Sequence, residues 1–171
     1  MSKSVIVSKF KKNDPMISSN NVVSNDLRDS IILKISIIKS KSLALNINPI
    51  KLFFCVGTSS VLRLITANVL SIIFITRNCS SKISSILIRA AKVNNIPVII
   101  LPKSTIEINK LVGLKNAHVF ALRNNLKSTD IDISKIVNCE NIDKNELNSV
   151  YAYADELIDF SLNVAIQNNK N

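Results

Sequence analysis

Gly57-Thr58-Ser59-Ser60-Val61-Leu62-Arg63 is the segment whose residue types and spacing most directly offer chemistry. An apolar run stops at Gly57, and Thr58 can cap the helix that follows. A helix start presents backbone N–H groups without intrahelical partners, and its dipole favours negative charge. Such a start is an anion site. Ser59 and Arg63 are four apart and share one helical face, where a hydroxyl and a guanidinium can converge on a phosphate or a base edge. A capped helix with a solvated Arg fits the same residues. Leu101-Pro102-Lys103-Ser104 is the second candidate. It leaves one apolar run and enters another helix start, and ligands of open α/β sheets gather at the carboxyl ends of strands. If these loops are neighbours, Gly57, Arg63, Lys82 and Lys103 rim one basic surface.

Other chemistries lack their residues. Asp155, Glu156 and Asp159 form an acidic cluster without a nearby His or Lys base, on the polar face of an expected helix. The one His, His118, lies between apolar neighbours and would have to support a hydrolase triad alone. Cys55, Cys79 and Cys139 lack the short spacings of zinc ligands, although with His118 they number four donors. They read as reduced structural thiols. Two glycines, Gly57 and Gly113, cannot write a dinucleotide fingerprint or a Walker loop. No catalytic residue, metal or cofactor is therefore expected.

Charge points to the class of partner. The 171 residues carry 22 Lys and Arg against 12 Asp and Glu, a net +10. Residues 1–123 hold 18 of those cations and only four acids, Asp14, Asp26, Asp29 and Glu107. The remaining 48 residues are acidic, with four Lys and eight acids. A strongly basic body is the electrostatic footprint of a polyanion binder. The longest apolar stretch, Leu64 to Ile75, contains Thr66, Asn68 and Ser71 and is too short to span a bilayer. No signal peptide or membrane partner is expected.

Several elements must position these groups. Residues 1–24 read as a flexible basic arm. A helix begins near Asn25 or Asp26, with Leu27, Ile31, Ile35 and Ile38 on one stripe. Pro49 marks a loop, and Leu52 to Val56 reads as a buried strand. After the Gly57 helix come a strand over Leu70 to Ile75 and a helix opened by Ser80 or Ser81. That helix points Ile83, Ile86, Leu87 and Ala90 inward and Lys82, Ser85, Arg89 and Lys92 outward. Pro97 to Leu101 and Ala117 to Leu122 are further strands, separated by a capping box at Ser104–Glu107 and a stop at Gly113. Alternating elements of this kind give an α/β fold, a three-layer α-β-α sandwich around a mixed sheet of about four strands. The domain spans 25–123. Residues 124–171 form an acidic extension ending in a long helix, capped by Asp143 and Glu146, with Leu147, Val150, Tyr151, Ala154, Leu157, Ile158 and Leu162 on its apolar stripe. That stripe packs on its own domain or on a protein partner.

The order of segments carries a resemblance. Val56-Gly57-Thr58, the basic Arg63 six residues after Gly57, the run Asn95-Ile96-Pro97…Pro102-Lys103-Ser104, and Val112-Gly113-Leu114-Lys115 before an apolar strand fall in sequence over about residues 25–123. This resembles the kink-turn-binding ribosomal-protein superfamily. Within it, the last run is most similar to the 38-kDa-type protein subunits of nuclear ribonuclease P and ribonuclease MRP and their fungal counterparts. The resemblance implies an α-β-α sandwich that binds structured RNA and has no catalytic residues, the catalysis residing in the RNA. Gly57, Thr58, Ser59, Ser60, Arg63, Lys82, Leu101, Pro102 and Lys103 are the RNA-binding positions so implied. Three of them depart from the superfamily pattern. Ser59 and Ser60 stand where Asn and Glu read base edges in typical members, and Lys82 stands where some members carry an acid. Two serines cannot reproduce both base contacts, so phosphate contact carries over more safely than sequence reading.

The expected function is that of a non-catalytic RNA-binding subunit of nuclear ribonuclease P/MRP, supporting precursor-tRNA and rRNA processing in the nucleus and nucleolus. Its partners are ribonuclease P/MRP RNA and other protein subunits of the particle, the latter through the C-terminal helix. Two alternatives fit the same residues. One is a kink-turn-binding protein of the ribosome or the small nucleolar ribonucleoproteins. The other is a protein scaffold that has lost RNA binding and works through Leu147, Tyr151, Leu157 or Ile158.

Overall fold

The computed structural model describes residues 22–102, 110, 117–124 and 143–168. Its elements in chain order are α1 (Asn25–Ala44), α2 (Pro49–Leu52), β1 (Phe54–Val56), α3 (Thr58–Thr66), β2 (Leu70–Thr76), α4 (Ser81–Val93), β3 (Val98–Leu101), β4 (Val119–Arg123) and α5 (Lys144–Asn168).

The strands form one mixed sheet in the order β1-β4-β2-β3. β4 runs antiparallel to both neighbours, while β2 and β3 are parallel. Consequently β1, β2 and β3 all point the same way, and their carboxyl ends share one edge of the sheet. Alternation along each strand divides the core. Ile72, Phe74, Phe120 and Leu122 face α1 and α5. Ile73, Ile75, Val119 and Ala121 face α3 and α4. The architecture is the expected three-layer sandwich with a four-stranded mixed sheet and a long C-terminal helix.

The helices begin and end for local reasons. Ser24 caps α1 by accepting from Leu27 N at 3.3 Å, and Ser80 caps α4 by accepting from Ile83 N at 3.4 Å. The ends of α1, α3 and α4 share one device. Asn46, Asn68 and Asn95 follow their C-caps in the left-handed conformation, at φ 57°, 53° and 55°. Asn is the side chain that best tolerates this conformation after Gly. The following residues close the Schellman bond in each case: Ile47 N to Ser42 O at 2.9 Å, Val69 N to Leu64 O at 3.5 Å, and Ile96 N to Ala91 O at 2.9 Å. Ile47 and Ile96 are buried there and lock the turns by packing.

Four local expectations are corrected. Pro49 does not mark a loop but opens the helical turn α2, because its fixed φ suits a first helical position. The strand is therefore only Phe54–Val56, and Leu52 belongs to α2. In α4 the inward face is Ser84, Ser85, Leu87 and Ala91, while Ile86 is 47% exposed. The small side chains turn inward because α4 packs against both α3 and the sheet, and Ser84 and Ala91 permit a close approach. Val22 and Val23, expected in the arm, are tied to β3: Val22 bridges to Ile100, and Val23 is buried with its N–H bonded to Ile100 O at 3.0 Å; residues 1–21 of the expected arm lie outside the described residues. The expected capping box at Ser104–Glu107 and the stop at Gly113 lie outside the described residues.

Helix α5 is built into the same body. Asp143 caps it, accepting from Asn145 N at 2.8 Å. Leu147, Val150, Tyr151, Ala154 and Leu157 are buried in the core that also contains Ile31, Ile35 and Ile38 of α1. Phe53 and Tyr151 meet edge to face, with ring centroids 5.6 Å apart. Lys34 pairs with Glu156, and Lys41 lies 4.9 Å from the Tyr153 ring centroid. Of the side chains that the scaffold alternative needs on a partner surface, Leu147, Tyr151 and Leu157 thus belong to the domain's own interior, and Ile158 packs half-buried against it.

Tyr151 supplies a test of this packing. Its hydroxyl is buried without a hydrogen-bond partner among the described residues. An unmade bond at a buried polar group costs about 1–3 kcal/mol. Tyr151→Phe is expected to leave stability unchanged or raise it by about 1 kcal/mol. Tyr151→Ala is expected to lower it by about 3–5 kcal/mol, as for other buried aromatics. Urea unfolding of the three proteins measures both.

Candidate nucleic-acid interface

The carboxyl edge of the sheet gathers most of the described candidates. Three bonds continue the sheet ladder there: Gly57 N to Val119 O at 2.9 Å, Thr76 N to His118 O at 2.9 Å, and Arg77 N to Leu101 O at 3.0 Å. Gly57, His118, Thr76–Arg77 and Leu101–Pro102 consequently stand in a row across four strands. Strand spacing makes that row roughly 14 Å long. The first and second candidate loops share this edge but occupy its two ends, with β4 and β2 between them. Lys103 and Ser104 lie outside the described residues.

At one end, Gly57 and not Thr58 is the N-cap of α3, and no side chain caps that helix. Thr58 is instead its first residue. Gly57 adopts φ 96° and ψ 146°, close to a region that only glycine occupies at low cost. This conformation turns the chain from β1 directly into α3 and leaves the first N–H groups of α3 without a side-chain acceptor. Ser59 and Arg63 are exposed on the helix, and Ser60 is half-buried.

The centre contains groups that sequence reasoning passed over as contacts, Arg77 and His118. Arg77 is exposed at the end of β2, and Lys82, one of the expected positions, is exposed at the start of α4. His118 Nδ1 lies 3.4 Å from the Oγ1 of buried Thr76. Arg77 was detectable in sequence, since it directly follows an apolar strand just as Gly57 does. His118 becomes an edge residue only because β4 runs antiparallel and starts where the other three strands end.

Charge is divided between the two faces of the sheet. No carboxylate occurs between Asp29 and Glu107 in the sequence. The described acids, Asp26, Asp29, Asp143, Glu146, Asp155, Glu156 and Asp159, all belong to α1, α5 or the α5 cap. Arg63, Arg77, Lys82, Arg89 and Lys92 belong to α3, α4 and the β2–α4 turn, all exposed and without an ion pair among the described residues. The cationic face and the carboxyl edge adjoin. Their combined potential attracts a polyanion, and the edge offers N–H donors to it.

The cysteines are separated by environment. Cys55 is buried in the α3/α4 half of the core, and burial pushes its thiol pKa up against the opposing fields of Arg123 and Arg63. Cys79 is half-buried in the β2–α4 turn. Among the described residues no cluster of three or more metal-ligating side chains occurs. No described helix is long and apolar enough to cross a membrane.

Two measurements check this geometry. A Cβ built on Gly57 meets no atom within 4 Å, so any cost of Gly57→Ala comes from its backbone conformation. The expected loss is about 1–3 kcal/mol, read by urea unfolding. Iodoacetamide at mildly alkaline pH is expected to modify Cys79 in the native protein and Cys55 only after denaturation. The raised Cys55 pKa also makes stability fall as pH rises past the ordinary thiol value. The unfolded thiol ionises first there, so the native state holds more protons.

Comparison with protein-family models and with curated protein sequences gives no match. Among solved structures, the chain is similar to a protein of unknown function from Bacillus halodurans, at 11% identity and a TM-score of 0.43. That likeness covers 71% of this chain and 96% of the other. It is also similar to the Giardia lamblia 15.5kD RNA binding protein, at 11% identity and a TM-score of 0.46, covering 84% of this chain and 99% of that one.

Proposed function

We propose that the protein binds structured RNA through the carboxyl edge of its sheet, as a non-catalytic subunit of nuclear ribonuclease P/MRP. The observation that carries the RNA reading is the cationic α3/α4 side adjoining the start of α3, which no side chain caps, with every described acid on the opposite side of the sheet. The motif order from Gly57 to Lys115 supports the particular particle. The first N–H groups of α3 and the Arg63 and Arg77 guanidiniums hold phosphates. Half-buried Pro102 gives a splayed base an apolar support at the far end, a mode in which structured RNA is commonly recognised, whereas Leu101, expected beside it as a contact, is fully buried in the core and only holds the loop's backbone in place. Ser59 and Ser60 bond to phosphate or sugar and do not read bases as Asn and Glu do. The protein thereby positions and stabilises its RNA, and processing of precursor tRNA and rRNA in the nucleus and nucleolus follows from the RNA's own catalysis. The burial of the α5 stripe weighs against the scaffold alternative.

A native tagged pull-down with RNA sequencing identifies the particle. Ribonuclease P or MRP RNA with its protein subunits is the expected catch, and ribosomal or small nucleolar RNA replaces the particle while keeping the surface. Arg63→Ala and Arg77→Ala are each expected to weaken binding and to reduce the slope of log affinity against log salt by about 0.7–0.9. Unchanged affinity and slope in both variants overturns the edge as the contact surface.

A further inference from the structure

We infer that the outer face of α4 is a second RNA contact, which follows the phosphodiester backbone of a double-stranded arm leaving the edge site. The inference rests on the RNA reading above but concerns a different surface. α3 and α4 both start at the carboxyl edge and run side by side toward the opposite edge. Lys82 lies in the first turn of α4, while Arg89 and Lys92 lie seven and ten residues further on. A rise of 1.5 Å per residue places them roughly 10 and 15 Å beyond Lys82. Contact confined to the edge leaves these two cations unused.

Three features select a backbone ligand. The first is that these cations are unneutralised. On the other side of the molecule Lys34 pairs with Glu156, Lys39 donates to Lys110 O at 2.8 Å, and Lys41 sits over Tyr153. Arg63, Lys82, Arg89 and Lys92 have no such partner among the described residues. The second is that α3 and α4 contain no aromatic residue. Proteins that hold single strands stack successive bases on exposed aromatics, so a face of cations without rings fits phosphates and not unstacked bases. The third is stiffness. The cations stand on a regular helix whose Leu87 and Ala91 are fixed in the core, so they present a preformed row. Ile86 lies between Lys82 and Arg89, and the 82% exposed Val93 follows Lys92 at the end of the helix; neither contributes charge.

Binding of two synthetic RNAs by the full chain tests the inference. One has a kink-turn flanked by long helices on both sides, and the other has the same kink-turn with the helices cut to three base pairs. The double variant Arg89→Ala/Lys92→Ala is expected to bind the long RNA with a salt slope lower by about 1.4–1.8, the value for two lost phosphate contacts. That slope change means the wild-type advantage shrinks about tenfold between 50 and 200 mM salt. On the short RNA, the variant and the wild type are expected to bind alike. Arg89→Lys/Lys92→Arg is expected to restore binding, which a folding defect would not allow. If the double variant matches the wild type on the long RNA while Arg63→Ala weakens binding, the second contact is overturned and the edge site stands. If it weakens binding equally on both RNAs, the contact is not to a duplex arm. If the wild type binds neither RNA, the RNA reading fails together with this inference.

Discussion

The structure depends on β4 lying between β1 and β2. β4 is the one strand paired on both sides in antiparallel fashion, through Phe120 to Val56 and Phe74 and through Ala121 to Cys55 and Ile73. Without it, three-residue β1 would have no partner in the sheet. Phe120 stacks on Phe74 with centroids 4.6 Å apart, so the same strand also anchors the α1/α5 half of the core. Its reversed direction lets β1, β2 and β3 keep a common direction. That common direction brings the starts of α3 and α4 to one edge. The candidate interface follows from this topology and needs no special loop.

Division of charge across the sheet is the second consequence. Helix α5 comes last in the chain and is rich in acids, and it packs on α1, where Glu156 meets Lys34. Lysines of α1 are thereby engaged, while the cations of α3 and α4 face solvent alone. Among the described residues, the α3/α4 side therefore displays Arg63, Arg77, Lys82, Arg89 and Lys92 without an acid among them. A chain with the same composition but α5 packed on the α3/α4 face would present a neutralised surface there. Long-range attraction depends on this separation and weakens with salt.

The pattern of apolar residues made much of the fold legible. Continuous runs such as Leu70 to Ile75 signalled strands buried on both faces, and Ser80 and Asp143 signalled helix starts, because these features depend on neighbours in sequence. Leu52 and Ile86 were misread because periodicity does not reveal which neighbour a face will meet. Leu52 is apolar and adjoins a strand, yet Pro49 had already fixed the turn. Ile86 lost its place in the core to Ser84 and Ala91, whose small size mattered only once α4 met α3.

By itself, the sequence determined the helix starts at Ser80 and Asp143, the strand-helix alternation and the excess of cations, since each rests on local chemistry or on composition. It also marked Gly57 as the end of an apolar run, while the structure decided that Gly57, and not Thr58, is the N-cap of α3 and that its backbone is one other side chains would strain. Only the tertiary structure decided that Gly57, His118, Arg77 and Leu101 share one edge, because that requires the strand order β1-β4-β2-β3 and the reversal of β4. The tertiary structure likewise decided that the apolar stripe of α5 faces inward and that the described acids collect away from α3 and α4. Pairing between segments far apart in the chain sets both, and no spacing within either segment encodes it.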